Sequence, residues 1–243
     1  MEGYEASTYG DRVAARYDEV YRDLDPTDAV DALVRLAGGR GPVLELAIGT
    51  GRIALPLAER GVEVHGVDAS EAMVERLRAK PGGDRIPVTM GDFADVPVEG
   101  RFPVVFVAFN TFFALQSQEE QVRCFENVAA HLADDGVFAL EAFVPDVARF
   151  DRRQRVGAIN VELDEVQLEI TQYDPVAQRV TSQHVFLGPR GTELTPVVIR
   201  FAWPAELDLM ARLAGLRLRE RWSGWDGASF TAESGRHVSI YER

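Results

Sequence analysis

Val43-Leu44-Glu45-Leu46-Ala47-Ile48-Gly49-Thr50-Gly51 is an apolar run of strand length that enters a glycine turn and leaves it into a helical pattern. Gly49 and Gly51 carry no Cβ, so the backbone bends sharply there and a ligand can approach it closely. The helix that follows presents its N-terminal amides at the same place, which is how dinucleotide-binding folds hold a pyrophosphate. That fingerprint asks for glycine or alanine three residues after the second glycine, and Ala54 stands there. The turn by itself therefore leaves a nicotinamide dinucleotide open. Glu45, four residues before Gly49, weighs against it. A carboxylate in that place repels a pyrophosphate and attracts an ammonium, directly or through water.

Outward from this turn, short apolar runs alternate with helical periodicity up to about Pro145, the pattern of a parallel sheet covered by helices. Residues 43–47, 63–67, 86–90, 104–109 and 137–143 read as five successive strands, several almost continuously apolar, as strands buried on both faces are. Residues 52–60, 70–80 and 118–133 read as helices between them. The second strand ends in Asp68, whose carboxylate can accept both hydroxyls of a ribose, whether of a dinucleotide or another adenosyl ligand. Met73 follows, at an adenine face or as ordinary core. The third strand ends in Gly91-Asp92-Phe93. Asp92 suits an adenine amine or a turn cap, and Phe93 can supply a backbone amide to the ring. Three acids at three successive strand ends converge on one crevice at the carboxyl edge of the sheet.

After Pro145 the pattern changes to alternation. Val166, Leu168 and Ile170 alternate with polar residues, Tyr173-Asp174-Pro175 turns the chain, and strands follow over 179–187 and 195–203. This predicts an antiparallel meander added to the parallel core. Pro204 opens a helix with Gly215 at its left-handed end, and two strands, 216–222 and 237–241, close the chain.

The net charge of −13 repels polyanions and removes the electrostatic drive for nucleic-acid binding. One cysteine, Cys124, supports neither a disulfide nor a Cys-rich zinc site. No metal site is expected. The polar start of the chain has no secretory pattern, and no apolar run is long enough for a membrane span, so a soluble, cytoplasmic protein is expected.

Glu45-x-Ala47-x-Gly49-x-Gly51, Val67-Asp68, Gly91-Asp92-Phe93 and the fourth strand bearing Asn110 together resemble the ordered motifs of class I S-adenosylmethionine (SAM)-dependent methyltransferases, over roughly residues 9–144. The resemblance implies an α/β fold: a Rossmann-like seven-stranded sheet, its last strand antiparallel between its neighbours, here with the added antiparallel β meander. A narrower likeness is to actinobacterial enzymes that N-methylate antibiotic amino sugars. It lies in Tyr17, Asp18 and Tyr21 of a Tyr-Asp-x-x-Tyr element, in Glu141 at the end of strand five, and in the antiparallel extension. Residues 1–243 are expected to form a single domain, with an N-terminal helical lid over 1–40. The β insertion over 155–203 would form part of the substrate pocket or a dimer interface.

The residues expected at SAM are Tyr17, Glu45, Ala47, Gly49, Gly51, Arg52, Asp68, Ala69, Met73, Asp92, Phe93 and Asn110. Glu141 and Tyr21 are the catalytic candidates. Glu141 ends an apolar strand, where a carboxylate is costly unless it binds something, in a substrate-pocket or cofactor-supporting role or in a structural hydrogen bond. Tyr17 and Tyr21, four apart, share a helix face and form a lid or pack on the core. Trp222, Trp225 and Phe230 line an acceptor pocket or belong to the core, and His184 and His237 are bases or structural groups. The expected activity is in-line methyl transfer to nitrogen or oxygen of a small molecule, in secondary metabolism. A catalytically silent SAM-binding protein and an NAD-dependent oxidoreductase are the alternatives. Strand four lacks the Asn/Asp-Pro-Pro-aromatic run with which nucleic-acid enzymes grip a flipped base.

Overall fold

The computed structural model describes residues 1–189 and 191–243. Along the chain come helices α1 (Thr8–Val13), α2 (Tyr17–Val20) and α3 (Thr27–Ala37), then β1 (Val43–Leu46), α4 (Ala54–Glu59), β2 (Val64–Asp68), α5 (Glu71–Arg78), β3 (Val88–Met90) and β4 (Phe102–Val107). After them come α6 (Gln118–His131), β5 (Leu132–Phe143), β6 (Gln154–Val161), β7 (Val166–Asp174), β8 (Arg179–Gly188), β9 (Gly191–Arg200), α7 (Pro204–Leu213), β10 (Arg217–Trp222) and β11 (Arg236–Glu242).

Seven strands form one sheet in the order β10-β11-β5-β4-β1-β2-β3. Those from β3 to β5 run parallel, and β11 is antiparallel to both of its neighbours. Alternation along β4 explains its unbroken apolar run: Val104 and Phe106 enter the core layer with α3 and α4, Val105 and Val107 the layer with α6 and α7. All four are fully buried. Truncating Phe106 to alanine would cost about 3–5 kcal/mol in lost transfer energy and cavity. Side-chain caps fix two of the helix starts. Ser70 Oγ accepts the Met73 amide at α5, and Ser117 with Glu120 forms a reciprocal capping box at α6.

Several boundaries differ from the sequence pattern for local reasons. The fourth strand stops at Val107 because Phe109 turns left-handed (φ 55). The fifth begins at Leu132, pairing with Phe102 across a bulge. The third shrinks to Val88–Met90. The first post-turn helix spans only Ala54–Glu59, and Tyr21 sits at the end of the four-residue α2. Within residues 1–40, α1 and α2 lie over the glycine turn, whereas α3 buries Val30 and Leu33 against the sheet.

A second, four-stranded antiparallel sheet has the order β6-β7-β8-β9. Both faces are mixed, with Val185 and Val198 buried on one and Val180 and Phe186 buried on the other. Val156, Ile170, Leu187 and Leu194 share one face by register and are exposed. The opposite face carries Gln167, Thr171, Ser182 and Thr195, all buried, together with Glu169 and His184. The lid covers this face: the Arg16 guanidinium lies 4.1 Å from the centre of the Phe186 ring and pairs with Glu165 (2.9 Å) and Glu193 (3.2 Å).

Candidate functional site

The turn after β1 holds three positive backbone angles, Ala47 (φ 56), Gly49 (φ 57) and Gly51 (φ 82). At Gly51 the positive φ favours glycine, and a Cβ there would stand 2.4 Å from Leu77 Cδ1 and displace that side chain's tip. Asp68, at the end of the neighbouring β2, ties the turn down: Oδ2 accepts the Gly49 amide (2.7 Å) and Oδ1 the Ser70 amide (2.8 Å). Burial raises its carboxyl above the usual carboxylate range, while those amides oppose the rise.

Glu45 points into a recess whose walls include Tyr17, Ala47, Gly49, Arg52 and Phe109. Only 5% of the residue is exposed, and burial pushes its carboxyl up to about 8, against the opposing pull of Arg52. Its Oε2 has no hydrogen-bond partner among the described residues. An unsatisfied buried carboxylate oxygen is expensive. It marks a place for a cationic donor.

The lid closes this recess. Thr50 Oγ1 donates to Asp18 Oδ1 (2.6 Å), Lys80 joins the same oxygen (2.8 Å), and Ser70 Oγ donates to Asp11 (2.7 Å). Tyr17 and Tyr21 pack with ring centres 4.7 Å apart, and Tyr21 meets the Phe109 ring edge-on at 5.2 Å. Tyr9 shares a 2.8 Å hydroxyl contact with Tyr21. Tyr9, Thr50 and Phe109 are site residues that sequence reasoning missed. Tyr9 is twelve residues from its partner and outside any periodic face, and a left-handed phenylalanine has no signature in a one-dimensional pattern.

The recess thus brings together Tyr17, Glu45, Ala47, Gly49 and Arg52 from the expected set, with Asp68 and the half-buried Ala69 directly behind Gly49. The others lie around it. Met73 is buried beneath the lid with Val13 and Ala14. Asp92 follows β3 on the same sheet edge, its Oδ1 capping the turn at the Ala94 amide (2.8 Å), and Phe93 is buried in the core. Asn110 and Glu141 hydrogen-bond to backbone: Asn110 Oδ1 accepts the Phe143 amide (2.6 Å) and Glu141 Oε2 the Phe109 amide (2.8 Å).

Of the remaining candidates, Trp225 is core, packed in the same layer as Val238 and Ile240, and Trp222 packs against it. Phe230 meets the His237 ring edge-on. His237 is fully buried, with Nδ1 on Ser239 Oγ (2.8 Å), and burial brings its pKa down to about 4, which keeps it neutral. His184 is also lowered by burial, against Glu169 at 3.9 Å. Cys124 is buried and burial raises its pKa, so its thiol stays protonated and inert. No three or more His, Cys, Asp and Glu side chains among the described residues form a metal-binding group, and no described helix is long and apolar enough to cross a membrane.

Comparison with known proteins agrees with this geometry. A methyltransferase domain model matches residues 43–136, the span from β1 past the start of β5. Cypemycin N-terminal methyltransferase of a Streptomyces species is 32% identical over 98% of both chains. The structure of the CcbJ methyltransferase from Streptomyces caelestis superposes with a TM-score of 0.93 at 41% identity, covering 98% of this chain and 99% of that one. SAM-bound CalS10, an amino pentose methyltransferase from Micromonospora echinaspora, shares the fold at 20% identity, with a TM-score of 0.70 over 93% and 96% of the two chains. With the acid-lined glycine turn, the β10-β11-β5-β4-β1-β2-β3 strand order and a full-length relative in agreement, the chain belongs to the SAM-dependent methyltransferase family and uses SAM as its methyl donor.

Proposed function

We propose that the enzyme methylates a nitrogen or oxygen atom of a small polar molecule in secondary metabolism. The observation that carries this reading is the set of polar side chains buried by the second sheet. One face of that sheet presents Gln167, Thr171, Ser182, Thr195, Glu169 and His184 on the lid side of the molecule, a wall suited to an acceptor rich in amines and hydroxyls. The net charge of −13 disfavours a polyanionic acceptor. The names of two relatives, an N-terminal methyltransferase and an amino pentose methyltransferase, favour an amine.

Bound SAM supplies a methyl carbon activated by its sulfonium sulfur. Glu45, with its unpartnered oxygen, would hold the ammonium of the donor's amino acid end, and Tyr17, Ala47, Gly49 and Arg52 would surround that end. Asp68 and Ala69 serve the ribose, and Met73, Asp92 and Phe93 the adenine side. Phe109, Asn110 and the buried Phe112 and Phe113 keep water away from the transfer site. An amine acceptor needs only to arrive neutral, so alignment contributes more than a strong base. The test is incubation of the purified protein with SAM and a panel of amino sugars, small amines, hydroxylated metabolites, a short peptide with a free N-terminus, and RNA. S-adenosylhomocysteine release with a methylated amine or hydroxyl product is expected from the small molecules. Turnover confined to RNA or to folded protein would overturn the reading.

A further inference from the structure

Beyond the end of β4 the chain places two consecutive non-glycine residues, Phe109 (φ 55) and Asn110 (φ 64), in the left-handed region. Side chains rarely adopt it, and such strain persists only where the surroundings over-determine it. Here the surroundings are the last residues of β5. Glu141 Oε2 accepts the Phe109 amide at 2.8 Å, the Glu141 carbonyl accepts the Asn110 amide at 3.2 Å, and Asn110 Oδ1 accepts the Phe143 amide at 2.6 Å. The two strand ends are clipped together reciprocally, and one half of the clip is a carboxylate.

The clip decides where the Phe109 ring lies. That ring lines the recess, with the Arg52 guanidinium 5.5 Å from its centre and the Tyr21 ring edge-on at 5.2 Å. Tyr21 in turn packs on Tyr17 and contacts the Tyr9 hydroxyl. A shift of the Phe109 amide therefore moves the wall against which both the lid and Arg52 rest.

We propose that Glu141 is a positioning residue, which holds the Phe109–Asn110 turn left-handed and through the Phe109 ring sets Arg52 and the lid tyrosines, and which takes no proton from the acceptor. The chemistry of its contact fits that role. An ionised oxygen accepting a backbone amide makes a charge-assisted, directional hydrogen bond, stronger than a neutral one. This inference rests on the recess being the SAM site, and the wild-type measurement tests that premise separately.

The experiment measures S-adenosylhomocysteine affinity by calorimetry, and turnover against pH, for the wild type, Glu141→Gln and Glu141→Ala. Glutamine keeps an oxygen that accepts the Phe109 amide, so Glu141→Gln is expected to fall less than about fivefold in turnover and in affinity. Its acid limb should match that of the wild type. Glu141→Ala frees the turn and is expected to lose at least about tenfold in both. Loss of turnover by tenfold or more in Glu141→Gln with affinity kept, or disappearance of the acid limb, identifies a general base and overturns the proposal. Equal affinity in Glu141→Ala and wild type does so too. Should the alanine variant fail to fold, Glu141→Gln alone decides by the same tenfold limit. A wild-type enzyme without measurable affinity would instead sink the placement of SAM.

Discussion

Both carboxylate oxygens of Asp68 already accept backbone amides, from Gly49 and from Ser70, so this residue shapes the glycine turn before any ligand arrives. Asp68→Ala is therefore expected to weaken S-adenosylhomocysteine binding at least tenfold, about 1.4 kcal/mol. Asp68→Asn, with one acceptor oxygen left, should fall between the two. Calorimetry that finds unchanged affinity in the alanine variant would count against the ribose and turn-holding roles together. Glu45 and Asp68 were legible because their places follow from strand and turn grammar alone. Phe109 was not, because its surroundings are set by a clip to residues thirty-two and more positions away.

The lid is held at two ends, and the elements differ in how each hold should respond to salt. At the glycine turn the ties are short hydrogen bonds from Thr50 and Ser70 to Asp18 and Asp11. At the second sheet the tie is Arg16, stacked on Phe186 and paired with Glu165 and Glu193, whose side chains are 38% and 53% exposed. Pairs that exposed are screened and contribute little singly, so most of the hold comes from the stacked guanidinium, about 1 kcal/mol. Arg16→Ala is expected to raise amide exchange over α1 and α2 and to release S-adenosylhomocysteine a few-fold faster. Higher ionic strength should speed release from the wild type more than from the variant. Identical exchange in the two proteins would show that Arg16 does not hold the lid. At this scale the sequence disclosed α5, α6 and α7 through caps and apolar stripes, but not β6. Nearly every residue of that edge strand is exposed, so the alternation that betrays a strand is missing, and only its pairing with β7 makes it one.

For the molecule as a whole, the parallel core was readable because burial on both sheet faces forces continuous apolar strands, and the antiparallel meander from its alternation and turn, whereas the facing of that second sheet was not. Alternation fixes which residues share a face but not which face meets the protein, and Arg16 on Phe186 settles that in three dimensions. A whole-molecule consequence of the buried site groups is the dependence of stability on pH. In the unfolded chain Glu45 titrates near 4.5, and burial lifts it to about 8 in the fold. Its contribution is thus fully present below pH 4.5 and is lost as pH rises through about 8. His237 is lowered from 6.5 to about 4, so its contribution is present above pH 6.5 and is lost as pH falls through about 4. From about pH 6.5 to 8 the Glu45 slope acts without the histidine's, at up to about 1.4 kcal/mol per pH unit. The ligand-free enzyme should therefore melt lower at pH 8 than at pH 6.5, and Glu45→Gln should flatten that slope. The same variant should bind S-adenosylhomocysteine more weakly, because the wild-type carboxyl ionises to meet the ligand's ammonium. At pH 7 that ionisation releases up to about 0.9 proton per ligand bound, seen as a binding enthalpy that varies with the ionisation enthalpy of the buffer. A buffer-independent enthalpy, or a Glu45→Gln enzyme with unaltered affinity, would show that the buried carboxylate is not where the ammonium goes.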